Sequence, residues 1–77
     1  MNDTTITVAG YRITLTGETR TFATIAIDSR EYQGEIGNPA GKLSCNQWID
    51  SDLLNGLYLL PEHEFAAVTE ALAEAMQ

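Results

Sequence analysis

A chain of 77 residues with 11 acidic and 4 basic side chains, and a formal charge of -7, has room for one domain and for no second core. Its hydrophobic share of 44% is too high for a disordered tail, so the chain is expected to fold. Its bases, Arg12, Arg20, Arg30 and Lys42, are scattered singly, which argues against nucleic acid or anionic lipid as direct ligands, because phosphate binding needs clustered cations.

The first half of the chain reads as strands. Ile6 and Val8 alternate with Thr5, Thr7 and Ala9. After Gly10, the residues Tyr11, Ile13 and Leu15 alternate with Arg12, Thr14 and Thr16. A period of two with apolar residues on one face is what a half-exposed antiparallel sheet requires. Gly17-Glu18 has the composition of a type II′ hairpin turn. A third segment from Thr21 to Ile27 sets Ala23, Ile25 and Ile27 against Phe22, Thr24 and Ala26. Asp28-Ser29-Arg30 interrupts the pattern, and Tyr32 and Ile36 suggest a short fourth strand weakened by Gly34. The run Gly37-Asn38-Pro39-Ala40-Gly41 reads as an exposed loop.

Between Lys42 and Leu60 the pattern is least regular. Trp48-Ile49 and Leu57-Tyr58-Leu59-Leu60 read as buried, and Asn55-Gly56 as a turn signal. A short strand or turn around Trp48, a loop, and a strand from Gly56 to Leu60 are expected. A one-turn helix from Ser51 is the competing reading. The end of the chain is helical: Pro61 suits a first helical position, and Glu62 and Glu64 complement the positive end of the helix dipole. Phe65, Val68, Leu72 and Met76 form one stripe, with Ala75 at its edge. Glu70 and Glu74 lie opposite, and Glu62 at the flank.

Strands followed by a helix predict an α+β fold: a small antiparallel meander of roughly three to five strands with one C-terminal amphipathic helix on one face, all in a single domain over 1–77. The N-terminus lacks the basic and apolar regions of a secretory signal. No apolar run approaches the roughly 20 residues that span a bilayer. Together with the single Cys45, these features make the cytoplasm the expected compartment and exclude an intramolecular disulfide.

The chain carries no catalytic constellation, so no enzyme activity, no cofactor and no metal are expected. Cys45 and His63 are the only thiol and imidazole, a pair that chance supplies, and they are too few for a closed zinc site. The stretch Asp50-Ser51-Asp52-Leu53-Leu54-Asn55-Gly56, with Glu62 following, resembles an EF-hand calcium loop with one residue inserted before Asn55. The insertion spoils the ligand spacing, and a polar hairpin loop is the better reading. Gly41-Lys42 is followed by Leu43, where a phosphate loop needs Ser or Thr. Trp48 is expected as a core anchor.

What remains is a small acidic protein-protein interaction domain. Its expected partner is another protein with a basic surface, one that handles nucleic acid, which the domain would cover and block. The expected contact residues are Glu62, Glu70 and Glu74, with Asp50 and Asp52. Small phage-encoded anti-CRISPR and anti-restriction inhibitors are similar in size and charge, a likeness of general character that no residue motif carries. The alternative is a structural or oligomeric accessory subunit, self-associating through an edge strand or an uncovered sheet face.

Overall fold

The computed structural model describes residues 3–17, 21–39 and 44–75. Strands β1 (Thr4–Val8), β2 (Tyr11–Thr16), β3 (Phe22–Ile27) and β4 (Arg30–Glu35) form one antiparallel sheet in the order β1-β2-β3-β4. A turn of 3₁₀ helix (Cys45–Gln47) leads into helices α1 (Ser51–Leu57) and α2 (Glu62–Ala75). This is the expected α+β meander, with the helix from Ser51 that the sequence offered only as an alternative.

Two of the hairpins are set by tight turns. Val8 pairs with Tyr11 across Ala9 (φ 53°) and Gly10 (φ 87°). Ile27 pairs with Arg30 across Asp28 (φ 51°) and Ser29 (φ 67°), so Arg30 opens β4 rather than ending a break. Consecutive positive φ values match the right-handed twist of paired strands, as in type I′ turns. The Gly17-Glu18 turn and the residues after Pro39 in the Gly37–Gly41 loop fall partly outside the described residues.

Register keeps the alternation intact across the sheet. Ile13 sits opposite both Ile6 and Ile25, Ile25 opposite Tyr32, and Ala23 opposite Leu15 and Gly34. These side chains share a face and meet Trp48, Ile49, Leu53, Leu57, Leu60, Val68 and Leu72 in the core. No polar or charged residue is buried among the described residues. The opposite face carries Thr5, Thr7, Arg12, Thr14, Thr16, Thr24 and Gln33, with half-buried Phe22 as its large apolar member. No helix lies on that face in the contacts that build the core.

The helices divide the covered face. α1 packs on β4 and β3, whereas α2 lies toward β1. α1 replaces the loop and the Gly56–Leu60 strand expected from the sequence; the competing reading, a helix from Ser51, is the one that holds, extended to seven residues. Asn55-Gly56 is inside the helix, because Leu53, Leu54, Leu57 and Leu60 recur at helical spacing and all are buried. Tertiary burial thus outweighs a local turn preference. Asp50 caps the helix, its Oδ1 accepting from the Ser51 N–H at 2.8 Å, and Asp52 sits in the first turn. The segment before it does not form a full strand: Ile49 makes a single bridge with Ile36, and Trp48, 8% exposed, anchors the core as expected.

Gly56 explains how α1 comes so near the sheet. A Cβ on it would collide with the Tyr32 ring at Cγ, and would lie 2.6 Å from the Tyr32 Cβ. Gly34 faces the start of the same helix, where an added Cβ would come within 2.7 Å of the Asp50 Cβ. In a free helix, Gly→Ala stabilises by about 1 kcal/mol. Here the sign reverses. Gly56→Ala is expected to destabilise the fold by about 1–3 kcal/mol through overpacking, read as a lower denaturation midpoint in urea. An unchanged or raised midpoint would show that α1 can move off Tyr32 freely.

Candidate protein-binding surface

The surface around the α1–α2 connection follows from how tightly the chain turns there. The Tyr58, Leu59 and Leu60 N–H groups donate back to Leu54, Gly56 and Leu57 at 2.9, 3.1 and 3.1 Å. Leu57 and Leu60, three residues apart, both turn into the core, so the two residues between them must turn out. Tyr58 and Leu59 are 60% and 62% exposed, the large hydrophobics left open among the described residues. The sequence reading placed the Leu57–Leu60 run inside as a strand, which is corrected here: only Leu57 and Leu60 are buried. Tyr58 is not loose, since its ring stacks on Phe65 of α2 with centroids 5.4 Å apart and planes 12° from parallel.

The acidic strip begins at the next turn. Pro61 precedes α2, and its carbonyl accepts from the N–H groups of Glu64 and Phe65 at 3.0 and 2.9 Å. Pro61 therefore stands at the cap rather than one residue inside. Val68 and Leu72 are buried, with Phe65 and Ala75 half-buried beside them, while Met76 lies outside the described residues. Glu62, His63, Ala66, Glu70 and Glu74 are exposed. At 3.6 residues per turn they occupy one continuous arc of roughly a third of the helix circumference. Glu62, Glu70 and Glu74 therefore share a surface, where the sequence spacing set Glu70 and Glu74 together and Glu62 at the flank of the apolar stripe.

Asp50 and Asp52 belong elsewhere. They mark the first turn of α1, at its far end from Glu62, about 10 Å of helix away. There Asp52 Oδ2 faces the Gln33 N–H at a long 3.4 Å, and the Asp50 N–H donates to the Glu35 carbonyl at 2.9 Å. Beside them an open hollow of ≈ 400 Å³ is lined by Glu35, Asn46, Gln47, Trp48 and Asp50. The five acids named from the sequence thus form two groups.

The remaining candidates change character in the fold. The calcium-loop reading fails because Ser51–Leu57 is helix rather than loop, which corrects the polar-hairpin reading too. Among the described residues no group of three or more His, Cys, Asp or Glu side chains could hold a metal ion. Cys45 is half-buried in the 3₁₀ turn, and His63 is exposed with its Nε2 3.9 Å from Glu64 Oε2; no hydrogen bond joins the two. No helix of the described residues is long and apolar enough to cross a membrane.

One polar contact ties α2 to the sheet. The Tyr11 hydroxyl donates to Glu64 Oε1 at 2.7 Å, across 53 residues of chain. That hydrogen bond, then desolvation and the negative charges of Glu64 and Asp28, hold the phenol's pKa above its usual 10.0. Comparison with protein-family models, with curated proteins and with solved structures finds no match. The surface itself therefore carries the functional reading.

The Tyr11 shift has a sign that can be checked. A pKa raised by folding means the neutral phenol is favoured in the native state. Its contribution is complete below pH 10.0 and is lost as pH climbs through the raised native value. Tyr11→Phe should lower stability at neutral pH and flatten the decline above pH 10.0 relative to the unmodified chain. Urea midpoints measured across that range would show it. Parallel alkaline declines in the two proteins would mean that the hydrogen bond does not couple α2 to the sheet.

Proposed function

We infer that this chain is a protein-binding domain that docks the Tyr58–Leu59 corner and the acidic arc of α2 onto a basic surface of another protein. The observation that carries the reading is the pairing of an exposed apolar anchor with a charged border. Tyr58 and Leu59 project from a hydrogen-bonded turn, and Glu62, Glu70 and Glu74 run away from them along one helix. An aromatic anchor ringed by polar groups is the usual plan of an interaction hot spot, and like-signed charge on the rim speeds encounter with an opposite surface.

Helix stability accounts for Glu62, in the first turn, but not for Glu70 and Glu74. Glu70 and Glu74 are a like-charge pair one turn apart, and Glu74 sits in the last turn, where the dipole disfavours an anion and no base stands nearby on the helix. Each effect costs a few tenths of a kcal/mol. Solubility accounts for a charged surface but not for an apolar corner joined to it. Basic protein surfaces with clustered Lys and Arg are typical of nucleic-acid-handling proteins. A domain of this charge would occupy such a surface in place of the nucleic acid, which makes blocking the effect we propose, in the manner of small inhibitors carried by phages and mobile elements.

The experiment is capture of partners from lysate at low and high salt, followed by association kinetics with the partner retained. Reversing Glu62, Glu70 and Glu74 to Lys should slow association at least about tenfold and weaken its salt dependence, and Leu59→Ala should raise the Kd about tenfold. Nucleic acid should compete with the domain for the partner. Kinetics unaffected by the triple reversal would reduce the acidic arc to a solvated face, and binding without competition would remove the blocking role.

A further inference from the structure

The two edges of the sheet are treated differently. The β4 edge is closed: Ile36 bridges Ile49, the Gly37 N–H donates to the Trp48 carbonyl at 2.6 Å, and the Glu35 carbonyl accepts from the Asp50 N–H. It also carries charge, at Arg30, Glu31 and Glu35. Among the described residues, the β1 edge has none of these devices. Thr4-Thr5-Ile6-Thr7-Val8 contains no charge, no proline and no bulge, in a chain of net charge -7. Natural sheets protect open edges with just those features, and a flat uncharged edge is a template for another strand.

The pairing pattern states which groups this template offers. Val8 and Tyr11 close a two-residue hairpin, so Val8, Ile6 and Thr4 exchange hydrogen bonds with β2. Thr5 and Thr7 therefore turn their N–H and C=O groups outward. The same counting applied to β4, from Ile27 opposite Arg30, assigns Gln33 and Glu35 to the outer edge. There the Glu35 carbonyl does meet the Asp50 N–H, and the Gln33 N–H faces Asp52.

We propose that β1 pairs with β1 of a second copy of this chain, antiparallel about a two-fold axis through Ile6. In that register Thr5 of one copy faces Thr7 of the other, so both outward residues exchange hydrogen bonds, and Ile6 faces Ile6. In this register both outward threonines face each other, whereas shifting it by two residues sets one of them beside Asp3 or Ala9. Two four-stranded sheets become one continuous sheet with both cores on the same side. The core-facing side chains at the seam, Ile6 and Val8, are only half-buried in the single chain although they pack against the core. A second copy covers them. The hydrogen bonds of this pairing come from the sheet edge, and its test reads self-association rather than binding to a basic partner.

Sedimentation velocity of the intact chain up to about 1 mM, the weak end of the affinity scale, tests it. A concentration-dependent shift from monomer to dimer is expected. Thr7→Pro removes an outward N–H without touching the β1–β2 ladder, and Ile6→Lys sets two cations face to face. Each should leave the circular dichroism spectrum unchanged and abolish the dimer. In a Cys45→Ser background, Ile6→Cys should form an intermolecular disulfide under mild oxidation. Opposed residues of this kind lie about 4.5 Å apart at Cα, within disulfide reach. Thr7→Cys, facing Thr5, should cross-link far less. A chain that stays monomeric throughout overturns the proposal, as does a dimer that survives in folded Thr7→Pro and Ile6→Lys proteins.

Discussion

Contact between α1 and the Tyr32–Gly34 stretch of β4 is the constraint on which the rest of this fold depends. The helix has seven residues, too few to persist alone in water. It exists because Leu53, Leu54 and Leu57 are taken from water by the sheet, each contributing about 1.5–3 kcal/mol. Two glycines make the approach close enough: Gly56 under the Tyr32 ring and Gly34 beside Asp50. Both positions have negative or unremarkable backbone requirements; space, and not φ, is what selects glycine there.

That contact sets the positions of the surfaces. With α1 held down, Leu60 is drawn into the core a turn after Leu57, which forces Tyr58 and Leu59 outward and starts α2 at a fixed place. Stacking of Tyr58 on Phe65 and donation from Tyr11 to Glu64 then fix α2 from both sides. The acidic arc is thereby aimed by the packing of a helix that bears none of its three glutamates. The same segment that precedes α1 closes the β4 edge, leaving β1 as the sheet's open side.

Much of this was legible in the residues, and the failures have identifiable causes. Alternation over Thr5–Ala9, Tyr11–Thr16 and Thr21–Ile27 announced the first three strands and their faces. The stripe of Phe65, Val68 and Leu72 announced α2. Asn55-Gly56 misled because its turn preference is local, whereas the reason for helix there lies in Tyr32, more than 20 residues earlier in the chain. With the helix from Ser51 only a one-turn alternative in the sequence, Leu57–Leu60 reads as one apolar run. Reading it as the end of a helix separates inward Leu57 and Leu60 from outward Tyr58 and Leu59. The grouping of the acids was partly visible: helical spacing united Glu70 and Glu74 with Glu62 at their border, whereas the separation of Asp50 and Asp52 from that face depends on how α1 packs on the sheet.

The interior is built from hydrophobic residues, with no polar or charged residue buried among the described residues. Uniqueness of packing here comes from shape rather than from hydrogen-bond matching. Cores of this kind accept volume-conserving exchanges among Ile, Leu, Val and Met at small cost. Over evolutionary time the buried letters of such a protein are free to be rewritten together, whereas Gly34 and Gly56 are not. Descendants of a common ancestor would be known by where their glycines fall before they were known by their leucines.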